Sequence, residues 1–230
     1  MMVLFFALLG GLAGLWGHYY CTHFATQLAT EIHAAYCEIF PQNPPHFHAH
    51  QAKFKPLKCS QKWLSFGVFA CLFALSGAGL RDPLTALLCA TVCTWLIVIS
   101  IIDWHYQLIS PALCQNLLCL GIGAAYFERA PIDLTQSLQS SVLAFVLFFS
   151  LFHLAKWYYQ QEAFGRGDYW LISALSSFLA WQLLPLFILL SCLYAIAYAL
   201  ISQRHSLPFA PFLTLGWLST YGLNMLGLTY

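Results

Sequence analysis

Charge is what this sequence has least of: Asp, Glu, Lys and Arg make up 7% of its 230 residues. A soluble domain carries about 25%. So few charges cannot clothe a globule in water, and a hydrophobic content of 60% points to lipid as the solvent. The net charge of +1 and the lack of a basic face exclude a nucleic-acid surface. Nine cysteines are present, but no C-x-x-C pair is among them. Cys71, Cys89, Cys93, Cys114, Cys119 and Cys192 lie within or beside apolar runs, where a thiol packs as a small hydrophobe. The N-terminal stretch MMVLFFALLGGLAGLW lacks the basic region of a secretory signal, and Tyr20 before Cys21 is no small-residue cleavage site. It reads as a retained first helix. Internal repeats and low-complexity tracts are also missing.

What is there is a series of apolar runs, near 1–17, 64–80, 83–102, 111–127, 138–157, 169–182, 184–202 and 208–228. Backbone polar groups in lipid must be satisfied within the segment, so the expected fold is all-α, a polytopic transmembrane helix bundle of about eight spans. The chain divides into a first transmembrane helix (1–17), a proline-rich loop (18–63) and a membrane domain (64–230). Pro41, Pro44, Pro45 and Pro56 break helices in the loop. The stretch HFATQLATEIHAAYCEIF at its start has the composition of an interfacial helix. With eight spans, one side receives Lys53, Lys55, Lys58, Lys62, Lys156, Arg166 and Arg204, and the other Arg81 and Arg129. The richer side is expected to be cytoplasmic. Asp103 ends the third run and Asp168 begins the sixth, which puts both at the cytoplasmic ends of their helices.

These two aspartates are the candidate catalytic pair. An acid at the edge of an apolar run is costly unless it has a function. A single such acid is as readily a solvated helix cap, and it is the pair that favours chemistry. Two facing carboxylates share one proton, so one acts as base while the other acts as acid. That suits peptide hydrolysis: the ionised partner activates a water, and the protonated one supports the oxyanion and then the leaving amine. Gly165 and Gly167 carry no Cβ, so an extended substrate has room beside Asp168, and positive φ is accessible to them. The plainer reading of these glycines is a helix start after a loop. His105 and Glu162 read as polar interface residues, with tuning of the pair as the alternative. Trp104, Tyr106, Tyr169 and Trp170 fit an interfacial aromatic belt, or the lining of a substrate groove.

Three blocks in order resemble the prepilin peptidases, the membrane aspartyl proteases of type IV pilus and type II secretion systems. They are IDWHYQLISP (102–111), GRGDYWLISALSSFLAWQLLP (165–185, with the G-x-G-D pattern) and LPFAPFLTLG (207–216). The resemblance implies that Asp103 and Asp168 are catalytic. It also implies a bacterial inner-membrane endopeptidase that removes a short basic leader from prepilin or pseudopilin substrates at the cytoplasmic face. Cleavage needs no cofactor. A second activity of the family, methylation of the new N-terminus, uses S-adenosylmethionine. The departures bear on that activity. The first loop holds Cys37 and Cys59 but not two C-x-x-C pairs, and no Arg-Leu-Pro signature precedes it. Weak or absent methylation is therefore the expectation.

His46, His48 and His50, with Cys37 or Cys59, offer mixed zinc ligands. A proline-rich loop is a loose frame for them, and no metal site is expected. Two other readings compete: a catalytically degenerate relative that serves assembly, and an ion- or proton-coupled transporter. Transport predicts mid-helix polar faces and related halves of the chain, and the sequence has neither.

Overall fold

A computed structural model describes residues 2–41, 54–57, 61–160, 165–202 and 207–227. They form eight α-helices: α1 (Met2–Ile39), α2 (Lys62–Gly79), α3 (Pro83–Tyr106), α4 (Pro111–Tyr126), α5 (Leu134–Tyr159), α6 (Arg166–Ser176), α7 (Leu184–Ser202) and α8 (Ala210–Met225). A 3-10 turn, Trp181–Leu183, leads into α7. No strand occurs among the described residues. The all-helical expectation holds. Five of the helical segments are long and apolar enough to cross a membrane: α1, α2, α3, α5 and Trp181–Ser202. The 11 residues of α6 rise only about 16 Å, too short for a crossing.

The first helix differs from expectation. It does not stop at residue 17 but runs on as one helix to Ile39. No proline or glycine interrupts residues 18–39, and Pro41 is the first residue that cannot continue the helix. The non-helical part of the first loop therefore begins well after residue 18. Several other ends are written in the sequence. Asp82 Oδ2 accepts the Thr85 N–H at 2.8 Å at the head of α3. Asp133 Oδ1 accepts the Gln136 N–H at 2.9 Å at the head of α5. Pro111 opens α4, where its missing N–H costs nothing.

The chain forms two compact units, Met1–Ala90 and Thr91–Tyr230, with the division inside α3. In the first, α1 and α2 pack closely, and Phe6, Phe73, Ala86 and Ala90 form the core. The glycines of GGLAG permit this approach, since a Cβ on Gly14 would lie 2.6 Å from the Ser65 carbonyl oxygen.

In the second unit α6 is the central element, buried from Asp168 to Ser176 except at Trp170. Hydroxyls tie it to α5: Ser173 Oγ donates to the Ser141 carbonyl at 2.9 Å, and Ser137 Oγ donates to the Ser177 carbonyl at 2.7 Å. Trp217 Nε1 of α8 donates to the Leu175 carbonyl at 3.0 Å. Small residues let α4 approach. A Cβ on Gly121 would overlap Ser177 Oγ and lie 2.9 Å from the Phe178 ring. Gly121→Val should therefore destabilise the protein by about 1–3 kcal/mol through overpacking. A lowered melting temperature in detergent, with Gly123→Val as the tolerated control, checks this. A Cβ on Gly123 meets nothing within 4 Å.

Candidate active site

Asp103 lies in the last turn of α3 and is 4% exposed; Asp168 lies in the first turn of α6 and is 8% exposed. Each burial demands a partner. Asp103 Oδ2 accepts the backbone N–H of Ala210 at 2.8 Å, across 107 residues of sequence. Ala210 is the first residue of α8, so its N–H has no partner within the helix. Asp168 Oδ2 accepts the Gly165 N–H at 3.0 Å and so closes the head of its own helix. The heads of α8 and α6 thus hold the two carboxylates through backbone N–H groups, those of Ala210 and Phe209 for Asp103 and that of Gly165 for Asp168.

The two carboxylates lie within electrostatic reach of one another. Burial, and after it the Asp103 charge, push the Asp168 carboxyl up to about 7, against the opposing pull of the Gly165 N–H. The link between α3 and α4 supplies the frame. Ile109 lies directly against Gly167, where a Cβ would overlap the Ile109 Cβ and lie 3.0 Å from the Ile109 carbonyl oxygen. The missing side chain of Gly167 therefore serves the packing of α6 on the segment that follows Asp103. Gly165 is the more open of the two: the nearest atom to a Cβ there is Asp168 Oδ2, at 3.2 Å. Neither glycine uses positive φ, and Gly165 has φ −70°.

The aromatic residues divide. Tyr169 is buried against Phe145, Phe149 and Phe152 of α5, with ring centroids 5.6, 5.7 and 5.8 Å away. Trp170 lies 4.9 Å from Phe145. Both anchor α6 to α5. Trp104 is 39% exposed and packs edge-on against Tyr198 of α7. His105 lines a groove beside α3. Glu162 lies outside the described residues, as do His46, His48, His50 and Cys59 of the metal question. Cys37 lies in α1 beside His33, with Sγ 3.6 Å from Nε2.

The site residue that sequence reasoning missed is Ala210, which acts through its backbone. The signal was within LPFAPF: Pro211 marks the start of a helix, and the N–H of the residue that opens it has no partner within the helix.

Comparison with known proteins bears on this geometry. The profile of the type IV leader peptidase family matches residues 90–200, a range that contains both aspartates. The chain is 37% identical over 222 residues to a prepilin leader peptidase/N-methyltransferase of Haemophilus influenzae, covering 96% of each chain. It is 34% identical over 134 residues to a type 4 prepilin-like proteins leader peptide-processing enzyme of Escherichia coli, covering 57% of this chain and 50% of that one. A prepilin leader peptidase/N-methyltransferase of Pseudomonas aeruginosa is 33% identical over 146 residues, covering 60% and 50%. The match thus spans about half the length of the latter two relatives. No solved structure matches the chain.

Proposed function

From the premise that the chain belongs to the type IV leader peptidase family, we propose that it is a membrane aspartyl endopeptidase that cleaves the leader from prepilin-like substrates. The carrying observation is the pair of nearly buried carboxylates, Asp103 and Asp168, within electrostatic reach of one another. Asp103, ionised, takes a proton from the attacking water. Asp168, whose carboxyl is pushed by burial up to about 7, holds the shared proton in this scheme, supports the developing oxyanion and passes the proton to the leaving amine. The Ala210 and Gly165 N–H groups keep the two carboxylates aimed while the proton moves. The scissile peptide approaches past Gly165. The cluster of lysines in the first loop supports a site on the cytoplasmic side of the membrane, where a short basic leader would be drawn to an anionic leaflet.

Cleavage in this scheme uses no cofactor. The names of two of the relatives also include N-methyltransferase activity. Two grooves among the described residues, one between α3 and α8 and one between α5 and α7, are walled mainly by apolar side chains and contain no carboxylate, lysine or arginine. Neither suits the charged amino-acid end of S-adenosylmethionine, and no methyl-transfer step is assigned to them. The transport reading gains no support, because the ionisable pair stands at helix ends and not along a mid-membrane path.

The pH profile of cleavage tests the proposal. A dyad that works with one proton loses activity on both sides. As pH rises above about 7, Asp168 gives up the shared proton and the rate should fall about tenfold per pH unit. At low pH the second carboxyl is protonated and the rate should fall again. A flat profile from pH 5 to 9 on a prepilin-type peptide in detergent would rule out the one-proton dyad.

A further inference from the structure

Two hydroxyls stand behind the bond that aims Asp103. Ser100 lies three residues before Asp103 on α3, and Thr214 lies four residues after Ala210 on α8. Residues at these spacings share a helix face, one turn apart. Asp103 Oδ2 accepts from Ala210, and one turn away Ser100 Oγ meets Thr214 Oγ1 at 3.3 Å. Two rungs thus join α3 to the start of α8, and Ala210 links them. Its N–H donates to Asp103, and its carbonyl accepts from Thr214 Oγ1 at 3.0 Å. The donors can be ordered. Thr214 has one hydroxyl hydrogen and gives it to Ala210, so Ser100 is the donor in the Ser100–Thr214 pair. The bonds run from Ser100 to Thr214 to the Ala210 carbonyl, and from the Ala210 N–H to the carboxylate.

We propose that Ser100 and Thr214 are a positioning pair for Asp103, which lock the head of α8 in the register that turns its N–H groups on the carboxylate. The assignment rests on the endopeptidase reading above and adds two residues that act through Ala210. Two features set this pair apart from an ordinary contact between helices. First, donors are scarce at the head of α8. Pro208 and Pro211 carry no N–H, so Phe209 and Ala210 are the only backbone donors in 208–211, and Asp103 engages both. A slip of register has no spare N–H to put in their place. Second, Phe209 at the N-cap of α8 offers no side-chain bond to the first turn. The hydroxyl bond from Thr214 back to the Ala210 carbonyl, steadied by Ser100, fixes that turn instead.

The test compares Thr214→Val, Thr214→Ser, Ser100→Ala and the Ser100→Ala/Thr214→Val double variant in the full chain. Tyr194→Phe is the control, because Tyr194 Oη and Ser219 Oγ form another hydroxyl pair on α8, 2.9 Å apart and more than a turn beyond Thr214. Thr214→Val keeps the shape of the side chain without its hydroxyl, and should lower kcat about tenfold with KM within about twofold of wild type. Thr214→Ser should stay within about twofold of wild type in both. Ser100→Ala should lower kcat about threefold, and the double variant should match Thr214→Val alone, because Ser100 acts through Thr214. Tyr194→Phe should cut at the wild-type rate. A second readout needs no activity. In a fragment spanning 207–212, amide hydrogen exchange reports on Phe209, Ala210 and Phe212, since the prolines have no N–H. Thr214→Val should speed this exchange about fivefold or more. Should Thr214→Val fail to reach the membrane, Ser100→Ala carries the same two readouts. Unchanged exchange, an unchanged kcat in an enzyme that cuts, an equal loss in Tyr194→Phe, or no recovery in Thr214→Ser would each overturn the proposal. Faster exchange in a protein whose wild type does not cut would uphold the pair and sink the endopeptidase reading. A wild type that cuts, with exchange unchanged in the variants, would do the reverse.

Discussion

Asp103→Asn and Asp168→Asn should each lower the cleavage of a prepilin-type substrate by about a thousandfold or more, at matched membrane levels. The size follows from the shared proton. An amide can neither accept the proton of the attacking water nor return one to the leaving amine, and loss of such transfer costs about 10²–10⁴. The substitutions are mild for the fold. Asparagine at 103 still offers an oxygen to the Ala210 N–H, and asparagine at 168 still offers one to the Gly165 N–H. Stability and membrane level should therefore stay near wild type, which separates chemistry from folding. The double variant should be no slower than either single one, because the two groups act as a unit. Additive losses, or a single variant that still cuts at the wild-type rate, would contradict the dyad.

The second large effect belongs to the glycines, and it is asymmetric. Gly167→Ala should lower activity at least a hundredfold, whereas Gly165→Ala should lower it less than tenfold. At 167 the new methyl group meets Ile109 on two fronts, the Cβ and the backbone carbonyl, and neither is the far end of a flexible side chain. The start of α6 must shift away from the segment following α3, and Asp168 shifts with it. A displacement of about 1 Å at a catalytic group is enough for a loss of that order. At 165 the new methyl meets only Asp168 Oδ2 at 3.2 Å, which a small rotation relieves. Shortening the partner to Ile109→Ala should not rescue Gly167→Ala, because the obstructing Cβ and carbonyl remain. Kinetic assays of the three proteins decide it, and equal losses at 165 and 167 would contradict this account.

The sequence was most legible where one residue type has one physical meaning. Scarce charge and long apolar runs led to an all-helical membrane protein. Aspartates 103 and 168 stood out because acids are rare beside such runs. Asp82, Asp133 and Pro111 marked helix starts by capping chemistry that acts within a few residues. Legibility failed where the reason lies across space. Nothing local to Gly167 announces Ile109 as its neighbour, and the sequence alone leaves both substrate room and a helix start open for this glycine. Tyr169 and Trp170 resembled a surface belt, but the aromatic face of α5 holds them. The run 169–182 reads as a span, yet the helix ends at Ser176, and hydroxyl bonds in both directions, from Ser173 to α5 and from Ser137 of α5 to the Ser177 carbonyl, hold it sideways. The first helix outlasted its apolar run because nothing before Pro41 stops it.

The bond from Ala210 to Asp103 also has a consequence in time. The chain is made from its N-terminus, so Asp103 leaves the ribosome 107 residues ahead of Ala210. Until α8 is in place, that carboxylate lacks the donor that aims it. At about 5–20 residues per second, the interval is on the order of ten seconds. During it the membrane holds α3 with its carboxylate not yet aimed, and the arrangement around Asp103 is complete only once the head of α8 has been made.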